Sequence, residues 1–312
     1  AYLDPDRFRE MQVRTSGEFG GLGIRVTQNE DGFVEVVSPI DDTPASRVGI
    51  LAGDLIVEID GEDVAGLSLM EAIERMRGPV DTVIEIGVRR DGADTIKSFT
   101  ITRGLIEVSP VSSRIEGDVG YLRVATFNAQ ATDELLDAIE DIRGELGNEI
   151  SGFVLDLRNN PGGLLDQAVA VSDLFLKAGL DVVSVRGRDG EERSHRTESG
   201  DRLDGARLVV LINTGSASAS EIVAGALQDH RRALVMGTQS FGKGSVQKLI
   251  PLTGDDAIRL TTSRYYTPEG TSIQATGISP DIEVKQATLE VADTDDQRRE
   301  ADLAGRLSNR QD

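Results

Sequence analysis

Between residues 20 and 104 the apolar positions fall in short alternating runs, the period of half-buried strands. GIRVT and FVEVVSPI flank Asn29-Glu30-Asp31-Gly32 and predict a hairpin, and DLIVEID, closed by an Asp60–Gly61 turn, VIEIGVRR and IKSFTITRG predict three more strands. Two helices interrupt them. One has Thr43 as N-cap, Pro44 at its first position and an end near Gly49. The other opens on a Ser68-to-Glu71 capping box, puts Leu69, Ile73 and Met76 on one face and stops at Gly78-Pro79. Ahead of this compact unit, Asp4, Pro5, Phe8 and Met11 predict a short helix over residues 4–12.

From Gly120 the rhythm becomes strand then helix. GYLRVATF is a strand, and Leu135, Leu136, Ile139 and Ile142 mark an amphipathic helix capped by Thr132. GFVLDL, LVVLIN and ALVMGT are continuous apolar runs, the mark of parallel strands buried on both faces. NNPGG is a turn, LLDQAVAVSDLFL a helix, GRDGEERSHRTESG a polar loop and DAIRLTTSRYYT a last strand. The charged tail keeps only Leu303 and Leu307 at helical spacing.

Composition narrows the chemistry. With 312 residues the chain is long enough for two domains. A net charge of −21 and no basic stripe exclude nucleic acid and disfavour an anionic membrane surface, and no apolar run is long enough to span a bilayer. Zero cysteines remove disulfides and thiol catalysis, and two isolated histidines leave no zinc set. No ATP motif is present; neither a metal nor another cofactor is expected.

NTGSASASEIVAGALQDH, residues 213–230, places Ser216, Ser218 and Ser220 where a strand turns into a helix. Unpaired amides at such a helix start can hold an oxyanion. A base for the serine is harder to find. His195 lies in the polar loop, and His230 is twelve residues past Ser218, about 18 Å along a helix. Lys243, between Gly242 and Gly244 and near Phe241 and Val246, is the better candidate. A lysine acts as a base in its neutral form, which a small apolar site favours.

Ser-Ala-Ser-Ala-Ser-Glu followed by Phe-Gly-Lys-Gly-Ser-Val-Gln resembles the signature of the carboxyl-terminal processing peptidases, or tail-specific proteases, and the resemblance runs from about Tyr2 to Val284. It implies that Ser218 is the nucleophile, Lys243, 25 residues on, the general base, and Gln247 the residue that orients it. It further implies an oxyanion hole made of Ala219 and either Gly162 or Gly163. The first unit is similar to a PDZ domain, whose carboxylate-binding loop would be Gly21-Leu22-Gly23-Ile24, with Arg77 sensing bound peptide or stabilising a helix end.

The expected fold is α/β: a crotonase/ClpP-like strand-helix core at 105–286 with a PDZ domain inserted at 17–104, a helical segment at 1–16 and a tail or oligomerisation helix at 287–312. The expected function is an endopeptidase that captures protein C-termini and cleaves near them. The alternatives are a catalytically silent PDZ scaffold and a crotonase-like CoA enzyme. The resemblance also implies export to a bacterial periplasm or cell envelope, homo-oligomers and adaptor proteins as partners.

Overall fold

The computed structural model describes residues 1–29, 32–90, 95–253 and 255–285. The hairpin turn at Glu30-Asp31 and the Leu303–Leu307 pair lie outside the described residues.

Two separate apolar clusters divide the molecule. The smaller is built on a sheet in the order Ile24–Gln28, Val34–Pro39, Leu55–Ile59, Val83–Arg89, Ile96–Thr102, with all neighbours antiparallel. Its alternating inward residues, among them Val34, Val36, Ile56, Ile84, Ile86 and Ile101, form the core with Ala45, Ala72 and Met76 from two helices. The first helix in the chain, α1 (Pro5–Ser16), precedes this unit; α2 (Pro44–Val48) and α3 (Leu69–Met76) belong to it. Local chemistry sets their ends. Ser68 and Glu71 close the capping box of α3, and Gly49 ends α2 at φ 86°. Helix α1 runs on to Ser16, one turn past the predicted end at residue 12, because Gly17 at φ 78° is the first residue that supplies a left-handed cap.

The larger unit is a central sheet in the order Val111–Glu116, Val119–Val124, Gly152–Asp156, Arg207–Ile212, Leu234–Gly237, Ile282–Glu283, parallel from the second strand onward. It is crossed by α4 (Ala131–Leu146), α5 (Leu165–Asp173) and α6 (Ala219–Asp229). A second sheet joins Asp181–Gly187, Glu192–Arg196, Ser245–Pro251 and Ala257–Tyr266, with Tyr2–Leu3 on its edge. Helix α6 touches both sheets and is buried from Ala219 to Leu227, which its alanines and Gly225 permit: a Cβ on Gly225 would sit 3.0 Å from Ile278 and Thr267.

Two further expectations are corrected. The polar stretch holding His195 contains a strand, Glu192–Arg196, since its charged residues face solvent while its backbone pairs with Asp181–Gly187. Thr132 is not the cap of α4: the helix begins at Ala131 behind Gln130, and Thr132 Oγ1 donates to Gln167 instead.

The incoming strand Glu18–Gly21 and the outgoing strand Gly104–Glu107 pair antiparallel, so the chain enters and leaves the small unit side by side. Among the described residues no helix is long and apolar enough to cross a membrane.

Candidate active site

Three adjacent parallel strands deliver the site. Loops leaving the C-terminal ends of Gly152–Asp156, Arg207–Ile212 and Leu234–Gly237 carry, in turn, the Asn-Asn-Pro-Gly-Gly turn, the serine turn and the lysine loop. Ligand sites of open α/β sheets form at this end of the strands.

Ser218 is the N-cap of α6, with φ 57° and ψ −111°. A non-glycine residue held there carries strain of order ~1–3 kcal/mol. The chain lacks G-x-S-x-G, yet it reaches the sharp, strained strand-to-helix turn that such elbows use. The two flanking serines hold it in place from below. Ser216 Oγ donates to Leu157 O at 2.8 Å and Ser220 Oγ to Asn160 O at 2.9 Å, both fully buried. Both hydroxyls are thereby spent on main-chain carbonyls.

The glycine turn is locked by its asparagines. Asn160 Nδ2 donates to Val124 O at 2.8 Å, and Asn159 exchanges two hydrogen bonds with Asn213, each 2.9 Å. Gly162 lies against the serine: at φ 99°, a Cβ there would be 2.9 Å from both Ser218 Cβ and Ala219 N. Its own amide is taken by Asn160 Oδ1 at 2.9 Å. Gly163 is exposed; its bridge to Phe127 uses Gly162 O and Leu164 N, which leaves the Gly163 amide unpaired among the described residues. The Ala219 amide, first in α6, is likewise without an acceptor among them. The geometry therefore separates two glycines that the sequence leaves equivalent.

Lys243 is partly buried in the loop behind Phe241, whose ring is exposed and whose amide donates to Ser216 O at 3.0 Å. No hydrogen bond links Lys243 Nζ to Ser218 Oγ. Gln247 is exposed on Ser245–Pro251, just past a register slip between Val246 and Gln247, and makes no side-chain hydrogen bond among the described residues. Ser218, Ala219, Gly162, Gly163 and the Lys243 main chain are thus brought together, whereas the Lys243 amine and Gln247 are not joined. His230 ends α6 at the far side, with Nε2 2.7 Å from Asp181 O.

Sequence reasoning missed two carboxylates. Glu221 accepts the Ser218 amide at 2.7 Å, the return half of a capping box, and Ser-x-x-Glu at 218–221 is the signal that reveals it. Asp156, fully buried, accepts from Tyr121, Arg123 and three nitrogens of Arg158 just before the glycine turn. Burial pushes its carboxyl up, but the bonds from Arg158 and Tyr121 outweigh burial and hold it below the ordinary Asp range.

In the small unit, Gly21, Leu22, Gly23 and Ile24 line a groove of about 150 Å³ with Phe19, Ile73, Met76 and Arg77. Gly23 has φ 76°, and its carbonyl is held by Ile40 N and Thr43 Oγ1. The Leu22 and Gly23 amides are unpaired among the described residues, and Ile24–Gln28 is an edge strand. Arg77, the C-cap of α3, stacks its guanidinium 4.5 Å from the Phe19 ring centre.

The pattern of peptidase family S41 matches residues 118–284, over half the chain and all three site loops, and that of the PDZ domain matches residues 10–89. The chain belongs to peptidase family S41. It is similar to a carboxy-terminal-processing protease of Bartonella bacilliformis, 50% identical over 100% of this chain and 72% of that protein. A carboxyl-terminal-processing protease of Synechocystis sp. is 39% identical over 93% of this chain and 68% of that protein. Among solved structures, a photosystem II D1 C-terminal processing protease is 32% identical with TM-score 0.55, covering 91% of this chain and 77% of that one. This S41 chain therefore joins an α/β peptidase core to a PDZ domain.

Proposed function

We propose that this chain is a serine endopeptidase that captures protein C-termini in its PDZ groove and cleaves near them, with Ser218 as nucleophile and Lys243 as general base. One observation carries the reading: Ser218 is held at a strained N-cap against Gly162, the adjoining Ala219 and Gly163 amides are unpaired among the described residues, and the Ser218 amide shares one carboxylate oxygen with that of Lys243. Neutral Lys243 takes the Ser218 proton as the hydroxyl attacks the peptide carbonyl. The two amides receive the developing oxyanion, and their rigid backbone needs no rearrangement as charge builds. The proton then passes to the leaving amine, and water hydrolyses the acyl-enzyme with Lys243 again as base. Gly163, whose amide is unpaired among the described residues, is the oxyanion donor, and Gly162 is the residue whose lack of a side chain lets the turn pack against Ser218. Catalytic hydrogen bonds often tighten only on substrate binding, so Lys243 closes on Ser218 in the peptide complex, with Gln247 orienting it.

The groove supplies the choice of substrate. A peptide adds a strand beside Ile24–Gln28, and its terminal carboxylate meets the free Leu22 and Gly23 amides, with Arg77 at the same end. An unstructured polypeptide incubated with the protein should yield truncated products by mass spectrometry. The same polypeptide with an amidated C-terminus should bind at least about 10-fold more weakly, since the carboxylate contacts are charge-assisted. Equal binding of acid and amide sinks the C-terminal capture; absence of products from both sinks the peptidase.

A further inference from the structure

Glu221 sits in the first turn of α6, fully buried, and takes part in no ion pair among the described residues. Four donors surround it. Oε2 accepts from Ser218 N at 2.7 Å and Lys243 N at 2.9 Å, while Oε1 accepts from Ser240 Oγ at 2.6 Å and Gly242 N at 2.6 Å. Helix capping accounts for the Ser218 bond alone. The other three run to a loop 19 to 22 residues further along the chain. A buried carboxylate without a counter-ion costs more than an apolar side chain of similar volume unless its lone pairs are served, so packing does not account for it either.

We infer that Glu221 is a positioning residue of the reaction: its carboxylate ties the backbone of the nucleophile to the loop of the general base. The inference rests on the reading of Ser218 and Lys243 as the reacting pair. Because the Ser218 and Lys243 amides share one oxygen atom, a shift of either segment stretches a bond to the other. The tie extends beyond the loop. Ser240 Oγ, while donating to Glu221, accepts from Ile278 N at 2.7 Å, and Ala275 N donates to Gly242 O at 2.9 Å. The lysine loop is therefore gripped on one side by α6 and on the other by residues 273–278. Only an acceptor on both oxygens fits four donors. A glutamine turns its NH2 toward two of them whichever way the amide lies, and an aspartate is one methylene too short to reach the loop.

The test measures kcat and KM on a peptide substrate for wild type, Glu221→Gln, Ser240→Ala and the double variant. Thermal unfolding and binding of a C-terminal peptide are followed on the same preparations. Glu221→Gln is expected to lower kcat by about 10²-fold or more, since misplacing reacting groups by about 1 Å is enough for such a loss, with KM and peptide binding within about threefold. Ser240→Ala should lower kcat by about 3- to 10-fold alone and by less than about twofold in the Glu221→Gln background, because the tie to which Ser240 contributes is already lost there. A folded Glu221→Gln with kcat within twofold of wild type overturns the proposal, as does full additivity of the pair or a loss of kcat that only follows the folded fraction. If Glu221→Gln does not fold, Ser240→Ala decides: unchanged kcat overturns the tie, and a lowered kcat at unchanged KM supports it. Wild type without turnover, or Ser218→Ala with undiminished turnover, removes the underlying reading and overturns both.

Discussion

Replacing Ser218 with Ala is expected to lower kcat/KM by at least about 10⁴-fold, and Lys243→Ala by a comparable factor, while both variants still fold and bind C-terminal peptides. Residues that act as one unit fail together, so the double variant should be little worse than either single one. The reason lies in the placement. Ser218 Oγ is at the tip of a strained turn whose lower side is pinned by Ser216 and Ser220, so removing one hydroxyl leaves the turn itself standing. The peptide groove lies in a unit with its own apolar core, and the substitution should not reach it. Peptide hydrolysis by mass spectrometry and peptide binding by fluorescence anisotropy, on the same samples, give the two readings. Cleavage by Lys243→Ala at more than about a tenth of the wild-type rate would remove the lysine from the mechanism.

The second large effect concerns Asp156. Asp156→Ala should cost about 2–3 kcal/mol of stability, somewhat below the 3–5 of a fully buried pair because Arg158 is half exposed. It should also disorder the turn that carries Gly162 and Gly163. The same carboxylate makes stability depend on pH. Its folded-state pKa is lowered, and so is that of Asp54, where burial pushes up but hydrogen bonds from Arg90 and from Leu51 N prevail. A depressed carboxyl pKa contributes stability in full above the unfolded value of about 3.9, and that contribution is lost as pH falls below it. Thermal unfolding should therefore be flat above about pH 5 and drop steeply below about pH 4. Asp156→Asn should show a shallower acid limb than wild type; identical limbs would remove Asp156 from the linkage.

Much of this was legible in the chain. The strands of the small unit followed from alternation, its helices from Thr43, Pro44, Ser68 and Glu71, and the parallel strands from unbroken apolar runs. What stayed hidden depended on pairing across distance. Glu192–Arg196 is polar throughout and becomes a strand because a neighbour supplies hydrogen-bond partners, and Tyr2–Leu3 is too short to announce itself. The resemblance implied Ser218 and Lys243 as a nucleophile and its base, but it could not tell Gly162 from Gly163. That difference lies in the Asn160 side chain, which takes one amide and leaves the next unpaired among the described residues. Glu221 was missed although Ser-x-x-Glu at 218–221 has the spacing of a capping box, and its three bonds to the lysine loop appear only when the chain is folded.

The pairing of Glu18–Gly21 with Gly104–Glu107 makes the PDZ unit a cassette. Gly21 and Gly104 face each other across the ladder, so the intervening segment could be replaced by a two-residue hairpin turn without moving the strands on either side. If the proposed function holds, swapping that cassette for one with a different groove should alter which tails are selected and leave the Ser218 site in place. Under the proposed function, selection and cutting would be separately exchangeable parts.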